Sequence, residues 1–348
     1  MARDQPAARR AVLRPATSLV IPTLDRPADL ERCLRSVARV NPGFDEVLVV
    51  EQGDVRRTRK LAARFDRLNA VVLHQRTLSL THARNLGIER ARGDYIFFVD
   101  DDTELDRGYV AAALTCFEAH PRVVGLTGPA EPPPTPRAPW ARRIGPAARR
   151  ACRRALYTAL LVTSVRRARV LRSGSNSSAR WTRAAHQTEW LSGAHCVYRR
   201  QVFDGGCRFN PDFIRWGFGE DVMLSHQVHK RYGPGSLRFD PAFRLTHYSS
   251  AERSLTADAA VRMMVIYRFL FWYNEVYGGS PFNLLCYLYG QPGFALCNPL
   301  RTLRARPLRR ILATTWAAYR FLARHWRAVV RNRVDYNHFI LHGHCDAP

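Results

Sequence analysis

Three consecutive carboxylates, Asp100-Asp101-Asp102, follow the apolar run Tyr95-Ile96-Phe97-Phe98-Val99. In an extended chain alternate side chains share a face, so Asp100 and Asp102 point one way and Asp101 the other. Two carboxylates that close repel each other, and a hard divalent cation with oxygen ligands relieves the repulsion. A solvated turn relieves it too, and the residue types alone leave both readings open. A second acidic pair, Glu220-Asp221, stands behind Trp216-Gly217-Phe218-Gly219. Glycines there let backbone approach a ligand, and a helix starting at Glu220 would aim the acids. Acids that merely favour a helix N-terminus would give the same pattern.

The elements that must carry these groups alternate. Short β-rich runs at Ser18 to Ile21, Val47 to Val50, Ala70 to Leu73 and Tyr95 to Val99 are separated by segments with helical periodicity, the rhythm of βαβ units in a parallel sheet. Pro27 opens the first helix, and Leu30, Cys33, Leu34 and Val37 fall at i, i+3, i+4 and i+7. Val55 to Phe65 and Thr81 to Arg92 read as the next two helices, with Gly93 as a stop. Acids at the carboxyl end of the fourth strand then lie where open α/β sheets bind ligands. Trp190 to Tyr198 returns to strand-like patterning, and Glu220 to Tyr232 is helical.

The five segments Val20-Ile21-Pro22-Thr23, Val49-Val50-Glu51, Ala83-Arg84-Asn85-Leu86-Gly87, Phe98-Val99-Asp100-Asp101-Asp102 and Gly219-Glu220-Asp221 occur in this order. Together they resemble family 2 glycosyltransferases of the GT-A fold, over roughly residues 16 to 250. The resemblance implies an α/β, Rossmann-like mixed sheet flanked by helices. It also implies an inverting, metal-dependent transfer of a hexosyl or deoxyhexosyl group from a UDP- or dTDP-linked donor to an acceptor hydroxyl. Carried over, Pro22, Thr23, Glu51, Arg84, Asp100 and Asp101 would line the nucleotide, with Glu51 standing where the family usually has aspartate for the base. Asp102 and His247 would hold Mn2+ or Mg2+, the imidazole favouring Mn2+. Asp221 would be the general base, with Glu220, Trp190 and Trp216 on the acceptor side. Core packing explains either tryptophan equally well, and a surface ion pair explains Arg84.

Composition limits the alternatives. There are 54 basic against 29 acidic residues in 348, a formal charge of +25, and lysine occurs only at Lys60 and Lys230. That excess points to a polyanionic neighbour. A nucleic-acid-binding protein would suit the charge, but zinc-finger spacing, a helix-turn-helix pattern and an RNP-like strand are all missing. A catalytically silent scaffold of the same fold would have no need of Asp100, Asp102 and Asp221 together. The eight cysteines form no C-x-x-C pair, which fits a reducing cytosol.

The expected organisation is a disordered basic leader over 1–15 without a signal peptide, a catalytic domain over 16–254 and a helical basic and aromatic region over 255–348. Within the catalytic domain, residues 132–188 hold 13 arginines and no acid, and read as an insertion with a basic helix around Leu156 to Val165. Val276 to Leu300 is too interrupted by proline and glycine to be a membrane span. Leu308 to Val330 is an amphipathic helix with the stripe Leu308, Ile311, Thr315, Tyr319, Leu322, Trp326 and Val330. That stripe either lies in an anionic membrane interface or packs on the domain. The first option makes the protein peripheral on the inner face of the cytoplasmic membrane, with a lipid-linked or membrane-displayed glycan as acceptor.

Overall fold

A computed structural model of the chain describes residues 14–134, 155–164, 168–177, 184–248, 255–302 and 307–344. Most of the expected leader and most of the arginine-rich insertion lie outside the described residues; a helical stretch at 155–159 is the described part of the expected basic helix.

The strands are β1 (Thr17–Thr23), β2 (Glu46–Glu51), β3 (Ala70–His74), β4 (Tyr95–Val99), β5 (Thr103–Leu105), β6 (Gly125–Thr127), β7 (Ala130–Glu131), β8 (His186–Gln187), β9 (His195–Arg199), β10 (Leu237–Phe239) and β11 (Leu245–His247). One sheet has the order β3-β2-β1-β4-β9-β6-β10-β8, and a smaller one the order β5-β11-β7. The first four strands are mutually parallel, as the βαβ rhythm requires. β9 then enters antiparallel between β4 and β6, which makes the sheet mixed. β1 and β4 are buried along their whole length, which is why β4 and the middle of β1 read as unbroken apolar runs.

Helix α1 (Pro27–Val37) buries Leu30, Cys33, Leu34 and Val37, the residues its periodicity singled out. Each such side chain is worth about 1.5–3 kcal/mol when fully buried. Helix α2 (Val55–Ala62) is capped by Asp54, which accepts from the amides of Arg56 and Arg57 at 3.0 and 3.1 Å. Helix α3 (Leu80–Arg90) ends before Gly93, where a Cβ would lie 2.6 Å from the Ser18 amide nitrogen, so only glycine fits. Helices α4 (Tyr109–Ala119), α5 (Gln201–Asp204) and α6 (Glu220–Tyr232) complete the layers around the sheet.

Beyond the small sheet come α7 (Ala257–Phe271), α8 (Pro281–Thr302), α9 (Leu308–Val330) and α10 (Tyr336–His342). They are not a detached tail. Met263, Tyr267, Phe321 and Phe339 form one core with Phe213, Val222 and Met223, the last two from α6. The amphipathic stripe of α9 packs inward through its middle, where Ile311, Thr315 and Leu322 are buried, while Leu308 and Trp326 at its ends stand exposed. No helix among the described residues is long and apolar enough to cross a membrane.

Candidate functional site

β4 runs between β1 and β9 and stops at Asp100, whose amide donates to the Ala194 carbonyl at 3.2 Å. Past that point the chain turns at Asp101 and Asp102, and the carboxylates still divide as expected. Asp101 turns back under β1, where it accepts from Thr23 Oγ1 at 2.7 Å and faces Arg26 Nη1 at 3.4 Å. Burial pushes its carboxyl up to about 7, against the pull of the Thr23 hydrogen bond and Arg26. Asp100 and Asp102 face the other way and meet His247. β11 pairs antiparallel with β5, with His247 opposite Thr103, and the Tyr248 amide donates to the Asp102 carbonyl at 2.9 Å. His247 Nε2 lies 3.1 Å from Asp102 Oδ1. One ligand atom from each of Asp100, Asp102 and His247 lies within 4.8 Å of the others. Two carboxylates and an imidazole at that spacing are a donor set for a divalent cation of the Mn2+ class.

Beneath this triad lies Arg84, on α3 and 1% exposed in its side chain. Its Nη2 donates to Asp100 Oδ1 at 2.9 Å and to the Gly193 carbonyl at 2.6 Å, and its Nη1 to Glu220 Oε1. One guanidinium fork therefore ties the end of β4, the turn before β9 and the start of α6 into a unit. Dense protein around Asp100 lifts its carboxyl above the ordinary range despite Arg84, with Asp102 adding repulsion, although 29% of the side chain stays open. Burial likewise lifts Glu220, opposed by Arg84. Arg84, expected to line the nucleotide, and Glu220, expected on the acceptor side, are thus each other's buried counter-ions.

Asp221 is presented differently. Gly217 and Gly219 have positive φ (51° and 80°), and the left-handed Gly219 opens α6. The helix start leaves Asp221 half-buried. Its Oδ2 accepts from the Gly193 amide at 2.7 Å and its Oδ1 from the Val222 amide at 2.8 Å. A Cβ on Gly193 would sit 2.9 Å from Glu220 Oε1 and 3.1 Å from Asp221 Oδ2. Gly193 is thus the piece that lets both acids close on the end of β4, and sequence reasoning missed it. Its only signal is its place between Trp190 and the β9 pattern.

Glu51 is the residue expected to hold the base. It is buried at the end of β2 and accepts from the Gly53 amide (2.7 Å), the Asp25 amide (3.2 Å) and Thr58 Oγ1 (2.5 Å). Those bonds use the carboxylate to shape the loops after β1 and β2. Pro22 and Thr23 pair with Val50 and Glu51 across the strands and are buried, Thr23 through its bond to Asp101. Arg26, four residues past Pro22, is a second participant that sequence reasoning missed. Trp190 donates from Nε1 to the Ser177 carbonyl at 2.9 Å, and Trp216 stands edge-on to Phe218 with ring centroids 5.8 Å apart. Both pack against the core shared with the C-terminal helices.

A mixed α/β sheet that ends in an acidic triad, faced by an acid at a helix start, defines a GT-A type glycosyltransferase fold. The family model of glycosyl transferase family 2 matches residues 18–205, more than half of the chain, and the chain belongs to that family. Among curated proteins, "Uncharacterized glycosyltransferase EpsJ" of Bacillus subtilis (strain 168) is 33% identical over 102 residues, 29% of this chain and 28% of the relative. "PGL/p-HBAD biosynthesis glycosyltransferase" of Mycobacterium tuberculosis (strain ATCC 25177 / H37Ra) is 30% identical over 106 residues, 30% of this chain and 41% of the relative. The matches thus span well under half of either relative. Among solved structures, the mannosyltransferase PcManGT from Pyrobaculum calidifontis in complex with GDP-Man and Mn2+ superposes with a TM-score of 0.52 at 15% identity, covering 92% of this chain and 85% of that one.

Proposed function

We propose that the chain is an inverting glycosyltransferase of glycan biosynthesis, with residues 16–254 as its catalytic unit. The observation that carries this reading is the convergence of Asp100, Asp102 and His247 from separate segments, with Asp221 held across Gly193 from the same strand end. Asp102 and His247 would hold the divalent cation, with Asp100 toward the nucleoside; the cation supplies charge neutralisation for a departing diphosphate. Asp221 accepts the proton of the acceptor hydroxyl as that oxygen bonds to the anomeric carbon and the carbon–oxygen bond to the diphosphate breaks. One displacement with one base inverts the centre. Arg84 positions Asp100 and, through Glu220, the helix that carries Asp221.

The donor is a nucleoside diphosphate sugar, UDP- or dTDP-linked and hexosyl or deoxyhexosyl. The acceptor is a lipid-linked or membrane-displayed glycan, met by a peripheral enzyme at the inner face of the cytoplasmic membrane; nucleic acid is not a partner. A thermal-shift panel of UDP, dTDP and GDP with and without Mn2+ tests the site. One diphosphate should raise the melting temperature only with the metal, and Asp102→Asn should abolish that increment while leaving the unliganded melting temperature unchanged. An equal shift in the variant would remove Asp102 from the metal.

A further inference from the structure

We infer that the outer faces of α8 and α9 form a membrane-docking surface that inserts apolar side chains into an anionic bilayer. This gives the acceptor reading above a physical surface, and its test runs without donor or acceptor. α8 turns Tyr287 and Phe294 into the core, together with Gly290 and Gly293. Its opposite face carries Phe282 (58% exposed), Leu285 (64%), Leu288 and Tyr289. From Pro281 to Leu300 the sequence has no charged residue, so the outward face of this helix is as apolar as the inward one. A helix that is hydrophobic all round belongs inside protein or in lipid. The neighbouring α9 repeats the pattern in its first half. While Ile311, Thr315 and Ala318 face the core, Leu308, Leu312 and Trp316 (65%) form an i, i+4, i+8 stripe on the outside. Tyr319 Oη joins the two helices by donating to Gln291 Oε1 at 2.9 Å. Nine of the eleven large apolar side chains that stand exposed among the described residues lie on these two helices. Isolated exposed apolar residues need no explanation, but a concentration of this kind marks an interaction site.

The charges choose the occupant. Between Glu275 and Asp335 there is no acid and there are ten arginines. Arg309 is exposed beside the Leu308–Trp316 stripe, and Arg320, Arg324 and Arg327 are exposed along the second half of α9. A second copy of the chain docked on this face would set arginine against arginine around the apolar centre. Lipid phosphates complement the arginines while acyl chains take up the leucines, and tryptophan and tyrosine suit the boundary between them.

The test is co-sedimentation of the full chain with phosphatidylcholine vesicles with and without phosphatidylglycerol. Its companion is the double variant Leu285→Glu, Trp316→Glu, whose sites are solvent-facing and whose fold is checked by circular dichroism. The wild type should sediment with the anionic vesicles, keep part of that binding as salt rises, and lose about 10-fold or more of its partition in the double variant. Three results would overturn the inference. The first is no binding to anionic vesicles. The second is equal binding by the double variant, which would leave the arginines as a nonspecific polycation. The third is a dimer in sedimentation velocity that the double variant dissociates, which would give the face to a second copy. Sugar transfer to a soluble acceptor is unaffected by the double variant, so failure of docking and failure of the enzymatic reading are told apart.

Discussion

The cleft at the end of β4 and the helical region after α7 both bury an arginine, and they treat it in opposite ways. Arg84 lies among acids, bridging Asp100 and Glu220. Arg268, on α7, is held by neutral partners: it donates to Gln291 Oε1 at 2.7 Å, to the Ser173 carbonyl at 2.6 Å and to Ser175 Oγ at 3.2 Å, and lies 4.1 Å from the centroid of Phe294. Burial lowers its pKa, whereas the acids around Arg84 raise that of Arg84. In the cleft, charge is turned inward and paired, which fixes acids whose geometry a reaction needs. In the helical region most charge is turned outward and so are apolar side chains, which suits a surface that works by contact.

The contrast is broken most severely at the acid that the cleft holds but does not neutralise. Asp221→Asn should lower turnover by roughly 10²–10⁴-fold with donor affinity nearly unchanged, measured as separate kcat and donor binding constants. A parallel collapse of donor affinity would make Asp221 a binding group. Next come the two arginines, compared by urea unfolding. Arg84→Met strands the buried Glu220 and the half-buried Asp100 and should cost about 3–5 kcal/mol. Arg268→Met leaves only neutral partners unmet and should cost about 1–3 kcal/mol. Equal costs would mean that the acid pairing around Arg84 contributes nothing special.

The smallest effect is a pH dependence on the cleft side. His195 is fully buried between Tyr109 Oη and the Gly128 carbonyl, each at 3.1 Å, and burial pushes its pKa down to about 3 from 6.5. Between those values the unfolded chain binds the proton and the folded chain does not. The contribution is therefore complete above about pH 6.5 and is lost as the pH falls. By pH 5 the wild type should lose about 2 kcal/mol more than His195→Gln, which cannot titrate. Parallel losses would show that His195 takes up its proton in the folded state.

Much of the cleft was legible because local rules govern it. Asp101 parts from Asp100 and Asp102 as expected, although the chain turns at Asp101 and Asp102, and the glycines at 217 and 219 announce a helix start at Glu220. What was not legible is which acids are bonded within the fold. Glu51 and Glu220 look as available as Asp221 in sequence. The one is bonded by Gly53, Asp25 and Thr58, and the other by an arginine 136 positions away. The α9 helix shows the same limit. Its periodicity sets its length, yet two apolar stripes are present, and only contact with α7 reveals that the one through Ile311, Thr315 and Leu322 is the inner one.

The sequence by itself determined the elements that depend on near neighbours: the parallel β1 to β4 units, the apolar face of α1, the family motifs and the excess of arginine. Tertiary structure alone decided the antiparallel entry of β9, the closing of β11 on β5 that brings His247 to Asp102, and the burial of Arg84 between Asp100 and Glu220. The physical reason is range. Side-chain alternation and helix periodicity are set within a few residues by backbone geometry, whereas the partner of a buried charge is whichever group the packed chain delivers within hydrogen-bond distance.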